Sequence, residues 1–563
     1  MTNWQSDTML ADAIRRAFDL RAEVETIAFQ TRRGRRHAFT GAQLGGMAET
    51  AAYALRGWLG PGRHCVVVAL PTGVDFVTTL LGAVLAGVTV VPVPVPREGS
   101  RSSRFRQIVA DCNATAVLCL PQHMGLVRAT LPGDASDPCP IVPVPLGTTP
   151  MPKPRHPRQG VDAADRLGVG AAIIQYTSGS TRAPLGVCLQ PRNILANCQL
   201  VQRHWGMDDT ARFVNWLPHY HDMGLMGGIL YPLISGGFSA HIDPLDFIRR
   251  PALWLETIAA ERASFSGGAT VGFAECLRRV TAEQTEALDL ACWTRAFCGA
   301  EPVPAGLLDA FHARLARTGL RRDAVFACYG LAETTLFAAG LPGRAAAQPG
   351  LVEPCHLDDA LGRRIAIVDP KGHTRLPDGQ EGEIWLRGRS NGMGYLNQPG
   401  ETRSIFDLPL EGQSGWLRTG DLGVRQDQAL YVTGRIKDIL IANGRKIPAP
   451  EVEWLACKAH PALNPLSAAA FMATPDRSGR AVLIAEVHMG AAGSLPVRAI
   501  CRKIRQVVLG EYGLDLVDVL LVARGRLART SSGKIRRAAV ATAWRNGEFD
   551  ALRLRPEVAA CQP

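Results

Sequence analysis

Residues 171–186 read AAIIQYTSGSTRAPLG. Apolar Ala171–Ile174 has the makings of a short buried strand. The Ser/Thr/Gly run behind it has the makings of a tight loop. Gly179 lets the backbone approach an anion, while Thr177, Ser178, Ser180 and Thr181 supply N–H and O–H donors. Arg182 adds a planar positive fork suited to phosphate. The Walker pattern G-x-x-x-x-G-K-S/T is absent. Taken alone, the stretch also fits a Ser/Gly loop that holds no ligand.

Outward from this loop, similar strands recur: CVVVAL at 65–70 and TAVLCL at 115–120, alternating with helix-length amphipathic stretches. Short, fully apolar strands between helices predict an α/β fold with parallel-rich sheets covered on both faces. Residues 131–160 are rich in Pro and Gly and read as a long surface connection. From about 355–362 to 435 the chain turns Gly-rich with short strand-like runs, which predicts a small β-rich subdomain; beyond Arg435 the pattern becomes α+β to the end. The expected division is therefore a large multi-subdomain N-terminal domain, 1–435, and a small C-terminal domain, 436–563.

The 563 residues are 47% hydrophobic and 20% charged, which excludes disorder, collagen and a disulfide miniprotein. Net charge is +11, but only seven of the 62 basic residues are lysine, and one of those seven precedes residue 370. Such arginine usage reads first as a compositional bias. No basic run interleaved with aromatics appears, so nucleic acid is not an expected partner. Fourteen cysteines without C-x-x-C spacing point to reduced thiols, a cytoplasmic protein and no structural zinc. Residues 76–96, FVTTLLGAVLAGVTVVPVPVP, are long enough to span a bilayer. Pro92, Pro94 and Pro96 break the second half, so a buried helix followed by a buried strand is expected instead, with no integral membrane segment.

Further blocks follow the loop in order: WLPHYHDMGLMGG (216–228), CGAEPVP (298–304), CYGLAETTLF (328–337), GWLRTGDLG (415–423), GRIKDILIANGRKIPAPEVE (434–453) and RTSSGKIRR (529–537). Together with YTSGSTRAPLGV they resemble the adenylate-forming (AMP-binding) superfamily over about the whole chain. WLPHYHDMGL, GAEPV and YGLAETTLF are most similar to its fatty acyl-AMP ligase branch. The resemblance implies attack of a carboxylate on the α-phosphorus of ATP, giving acyl-AMP and pyrophosphate, with ATP and Mg²⁺ as cofactors. The acyl group would pass to the phosphopantetheine thiol of a separate acyl carrier protein. A carboxylate is already ionised at neutral pH, so the protein needs to position two anions and neutralise phosphate charge.

The resemblance assigns roles. Thr177, Ser178, Gly179, Ser180, Thr181 and Arg182 match the phosphate loop. Glu333 matches the Mg²⁺ ligand, a hard oxygen donor. Tyr329 and Gly330 match the adenine platform, Gly299, Ala300 and Glu301 the turn along its edge, and Thr334 lies beside them. Asp421 and Arg435 match the ribose contacts, and His221 the acyl-carboxylate end of the pocket. Lys534 matches the lysine that bridges α-phosphate and substrate carboxylate when a mobile C-terminal domain swings over the site, and Lys437 matches the hinge. Three departures stand out. Leu185 replaces the usual lysine of the loop, and Ala332 the usual threonine before the glutamate. Asp369 lies only 29 positions after Gly340, where the branch usually carries an insertion thought to disfavour CoA. An acyl-CoA ligase is therefore the alternative. An amino- or aryl-acid adenylation enzyme is a third reading, though WLP (216–218) and SGGA (266–269) offer no aspartate for an ammonium group. A monomer or weak dimer is expected.

Overall fold

The computed structural model describes residues 9–31, 34–96, 102–131, 139–146, 170–177, 184–343, 352–442, 445–474, 480–487, 496–530 and 533–554. Most of the Pro/Gly-rich stretch 131–160, and the phosphate-loop residues Ser178 to Arg182, lie outside them.

Two parallel-rich sheets form the base. In the first, the strand order is Ile141–Pro143, Ala116–Cys119, Cys65–Val68, Thr89–Pro92, Ile173–Tyr176 and Gly186–Leu189, parallel except for the last pair. The final antiparallel pair flanks the Ser/Thr/Gly loop. In the second, the order is Val325–Ala327, Arg295–Gly299, Phe265–Ala269, Arg212–Asn215, Phe238–Ile242, Glu25–Gln30 and Arg36–Thr40, parallel apart from the terminal hairpin. Val66, Val67, Val68, Val117 and Leu118 are fully buried, which is why these strands are apolar on both faces. The 76–96 stretch divides as its prolines demand, into the buried helix Val74–Leu85 and the strand Thr89–Pro92. No helix among the described residues is long and apolar enough to cross a membrane.

An antiparallel sheet follows, ordered Cys355–His356, Ala429–Arg435, Gln413–Gln426, Glu381–Arg387 and Ile365–Val368. It pairs Asp421 with Arg435 in register. The one-turn helix Ile436–Asp438 and the hairpin Ile439–Ala442/Arg445–Pro448 lead onward. The remaining sheet, Leu463–Met472, Arg480–Val487 and Asp515–Ala523, carries helix Val497–Tyr512 on one face. Helix Arg537–Arg545 packs against Phe471 and Leu520 on the other. One apolar core draws its residues from Met9 to Leu430, another from Leu440 to Leu521. All thirteen described cysteines are free thiols.

Candidate active site

Parallel strands end at a common edge, and their C-terminal ends are where α/β folds bind ligands. The strand Ile173–Tyr176 runs into Thr177, whose N–H bonds the Leu185 carbonyl at 2.9 Å and so closes the base of the loop. The Thr177 carbonyl accepts from the guanidinium of Arg104. Burial, and then the charge of Arg536, hold Arg104 below its ordinary pKa. The Gln175 side chain donates to the Tyr220 carbonyl at 2.9 Å and ties this strand to the loop bearing His221.

The strand Arg295–Gly299 ends beside Ala300, whose φ of +72° is left-handed. A Cβ on Gly299 would lie 2.4 Å from the Cys328 carbonyl oxygen, so only glycine lets the two segments touch there. Glu301 accepts from the Thr270 hydroxyl.

Asp421 is buried between two donors. The Tyr329 hydroxyl reaches Oδ2 at 2.8 Å, and Arg435 Nε reaches Oδ1 at 2.9 Å. A carboxylate has about four acceptor positions, so capacity for further O–H donors remains. Beside Arg435, in the one-turn helix, Lys437 is exposed, and Asp438 accepts from Arg537 at 2.9 Å.

Glu333 sits in the 3₁₀ turn Ala332–Thr334, where Oε1 accepts from the Tyr395 hydroxyl at 2.8 Å. Burial raises its pKa, against the pull of that hydrogen bond. A desolvated carboxylate with one oxygen unused by Tyr395 fits a Mg²⁺ ion held mainly by nucleotide phosphates and water, which needs few protein ligands. Among the described residues, no group of three or more His, Cys, Asp or Glu side chains could hold a metal by itself. Thr334 is 2% exposed, and its hydroxyl donates to the Leu331 carbonyl at 3.1 Å. Its side chain helps to shape the turn. Thr335 has φ +73°, a left-handed conformation costly for a β-branched residue, and is held by a 2.7 Å bond to the Ser390 carbonyl.

His221 is pushed down to about 4 by burial; Asp222 opposes that, and the charges of Lys534 and Arg104 reinforce it. It is neutral at pH 7. Lys534 enters the same field from the far end of the chain. Burial lowers its pKa, with Glu301, Asp222 and Asp421 opposing and Arg435 reinforcing. Close to it in the chain, the Thr530 N–H bonds the Lys534 carbonyl at 2.7 Å, and Arg529 reaches Glu486 at 3.0 Å. The structure thus brings together Thr177, His221, Ala300, Glu301, Tyr329, Glu333, Asp421, Arg435 and Lys534. Sequence reasoning missed Arg104, Gln175 and Tyr395. Gln175 stands inside the opening stretch but was given no role, while Arg104 and Tyr395 lie in no patterned block and only the fold carries them to the site.

The architecture and this convergence define an adenylate-forming class of enzyme, and the chain belongs to the AMP-binding enzyme family, whose model matches residues 17–396. It is 32% identical over 520 residues to the medium-chain-fatty-acid–acyl-carrier-protein ligase JamA of Moorena producens, covering 87% of each chain. It is also 32% identical over 527 residues to a long-chain-fatty-acid–AMP ligase of Mycobacterium tuberculosis, covering 87% of this chain and 89% of the relative. A structure from work on fatty acyl-adenylate ligases of E. coli and L. pneumophila superposes with a TM-score of 0.79 at 25% identity, covering 96% of this chain and 98% of that one.

Proposed function

We propose that this enzyme activates a fatty or related hydrophobic carboxylic acid with ATP, forming acyl-AMP and pyrophosphate, and passes the acyl group to the phosphopantetheine thiol of an acyl carrier protein. The observation that carries this reading is Lys534: a cation from residue 534 sits in the field of Glu301, Asp222, Asp421 and Arg435, beside neutral His221. A partly desolvated ammonium there can hold a phosphate oxygen and a substrate carboxylate at once, offsetting the repulsion between two anions. The names of the relatives support the acid and the acceptor.

In this reading, Ser178, Gly179, Ser180, Thr181 and Arg182 grip the outer phosphates, with Arg104 fixing the base of the loop. Tyr329 stacks on adenine, Asp421 and Arg435 take the ribose, and Glu333 ligates Mg²⁺. The chain divides near 435, with Lys437 at the hinge. Thirteen free thiols suit a cytoplasmic setting. The short span between Gly340 and Asp369 favours a second reading, in which CoA is the acceptor.

Exchange of labelled pyrophosphate into ATP, with Mg²⁺ and a series of fatty acids, tests activation. No exchange with any carboxylic acid would overturn it. Purified acyl-AMP offered CoA and a phosphopantetheinylated carrier side by side decides the acceptor.

A further inference from the structure

Helix Val497–Tyr512 packs on the strand Asp515–Ala523 through Val497, Ile500, Ile504 and Val508. Residues of both, together with Arg553 and Leu554, line a cleft of about 390 Å³. Val519, Leu521 and Leu554 give it an apolar lining, and Arg498, Arg502, Arg505 and Arg553 rim it. Steps of four and three residues place the first three arginines on one helix face.

The charge there is not compensated. Asp518 is the one acid of the lining, and it is committed to Arg553, with both carboxylate oxygens 2.7 Å from the guanidinium. Arg505 Nε donates to the Leu516 carbonyl at 3.0 Å. Arg498 and Arg502 are exposed and pair with no acid among the described residues. Arginine is abundant in this chain, and several arginines elsewhere are matched by acids. Arg36 meets Glu25 and Glu261, Arg418 meets Glu383, and Arg537 meets Glu453 and Asp438. A compositional bias accounts for the number of arginines but not for three converging on one concavity with no counter-charge. Like charges so placed repel until an anion joins them. Guanidinium forks match phosphate oxygens, and the volume falls in the range of small-molecule sites.

We propose that this cleft binds a phosphate-bearing small molecule, the phosphate spanning Arg498, Arg502 and Arg505 and the organic part lying over Val519, Leu521 and Leu554. A single carboxylate engages one fork; a multiply charged phosphate engages several. The cleft shares no residue with the acyl-adenylate site and is independent of the function proposed for it.

Calorimetric titration of the full-length chain with phenyl phosphate, and separately with inorganic phosphate, tests the proposal. Phenyl phosphate should bind more tightly than inorganic phosphate, and both should weaken as salt rises. R498E/R502E should reduce both affinities at least tenfold while pyrophosphate exchange stays within twofold of the parent, which also shows that the variant is folded. Titration with phosphatidylglycerol and phosphatidylcholine vesicles separates two sources of the same chemistry. Variant-sensitive binding of phosphatidylglycerol assigns a lipid headgroup; binding of the soluble probes alone assigns a free organic phosphate. Equal affinity of R498E/R502E and the parent overturns the site, as does binding of polyglutamate with no response to either phosphate.

Discussion

At the scale of single residues, Lys534 carries the sharpest expectation. Lys534→Ala should lower acyl-AMP formation by about 10²–10³-fold, the usual cost of one pre-organised electrostatic group. ATP binding, measured by equilibrium dialysis, should change little, because Asp421, Arg435 and the phosphate loop remain. Transfer from preformed acyl-AMP should fall far less, and an equal fall in both half-reactions would refute the assignment. Asp421→Asn should instead raise KM for ATP, since it weakens the acceptor shared by Tyr329 and Arg435. His221 fixes a pH expectation. Its folded pKa of about 4 lies below the ordinary 6.5, so the folded protein favours the neutral ring. The stability this contributes is fully present above pH 6.5 and declines as pH falls from there towards 4. Histidine NMR should find the ring neutral at pH 5.5, and a ring charged at that pH would contradict the burial described.

Among elements, the helix Ala449–Lys458 carries a second titration. Glu451, in its first turn, is raised to about 7 by burial, reinforced by the charge of Glu381 on the β-rich sheet. A carboxyl raised in the packed state takes up its proton more readily there than in solvent. The packed junction therefore gains stability as pH falls through 7 and loses it as pH rises. Limited proteolysis between residues 435 and 449 should be faster at pH 8 than at pH 6, and E451Q should abolish the difference. The strands of the base sheets were legible because burial on both faces forces apolar runs, as at Cys65–Val68. The β-rich subdomain was legible from glycine and alternation. The site was legible only where a block of pattern carried it. Tyr395 reaches Glu333 across 62 residues, and Arg104 reaches the carbonyl of Thr177 across 73. A sequence displays no sign of such pairs, because each depends on where two unrelated segments cross. Thr334 shows a local role that its motif position did not display: its hydroxyl donates to the Leu331 carbonyl within the turn.

For the whole molecule, the large core concentrates aromatic packing. Trp254 is fully buried, donates to the Ser266 hydroxyl at 2.7 Å, and meets Trp216, Trp293 and Phe273 edge-on or tilted. Trp254→Ala should cost about 3–5 kcal/mol by denaturant unfolding. The transition of a separately unfolding C-terminal domain should not move, because its core is distinct. Ala300 and Thr335 both hold left-handed backbone, next to Glu301 and two residues from Glu333 respectively. Each position would be relieved by glycine, or in part by asparagine. Under laboratory selection for heat resistance alone, these two positions should be among the first to drift. The survivors should be sturdier proteins and slower catalysts, since what relaxes is the frame that fixes Glu301 and Glu333.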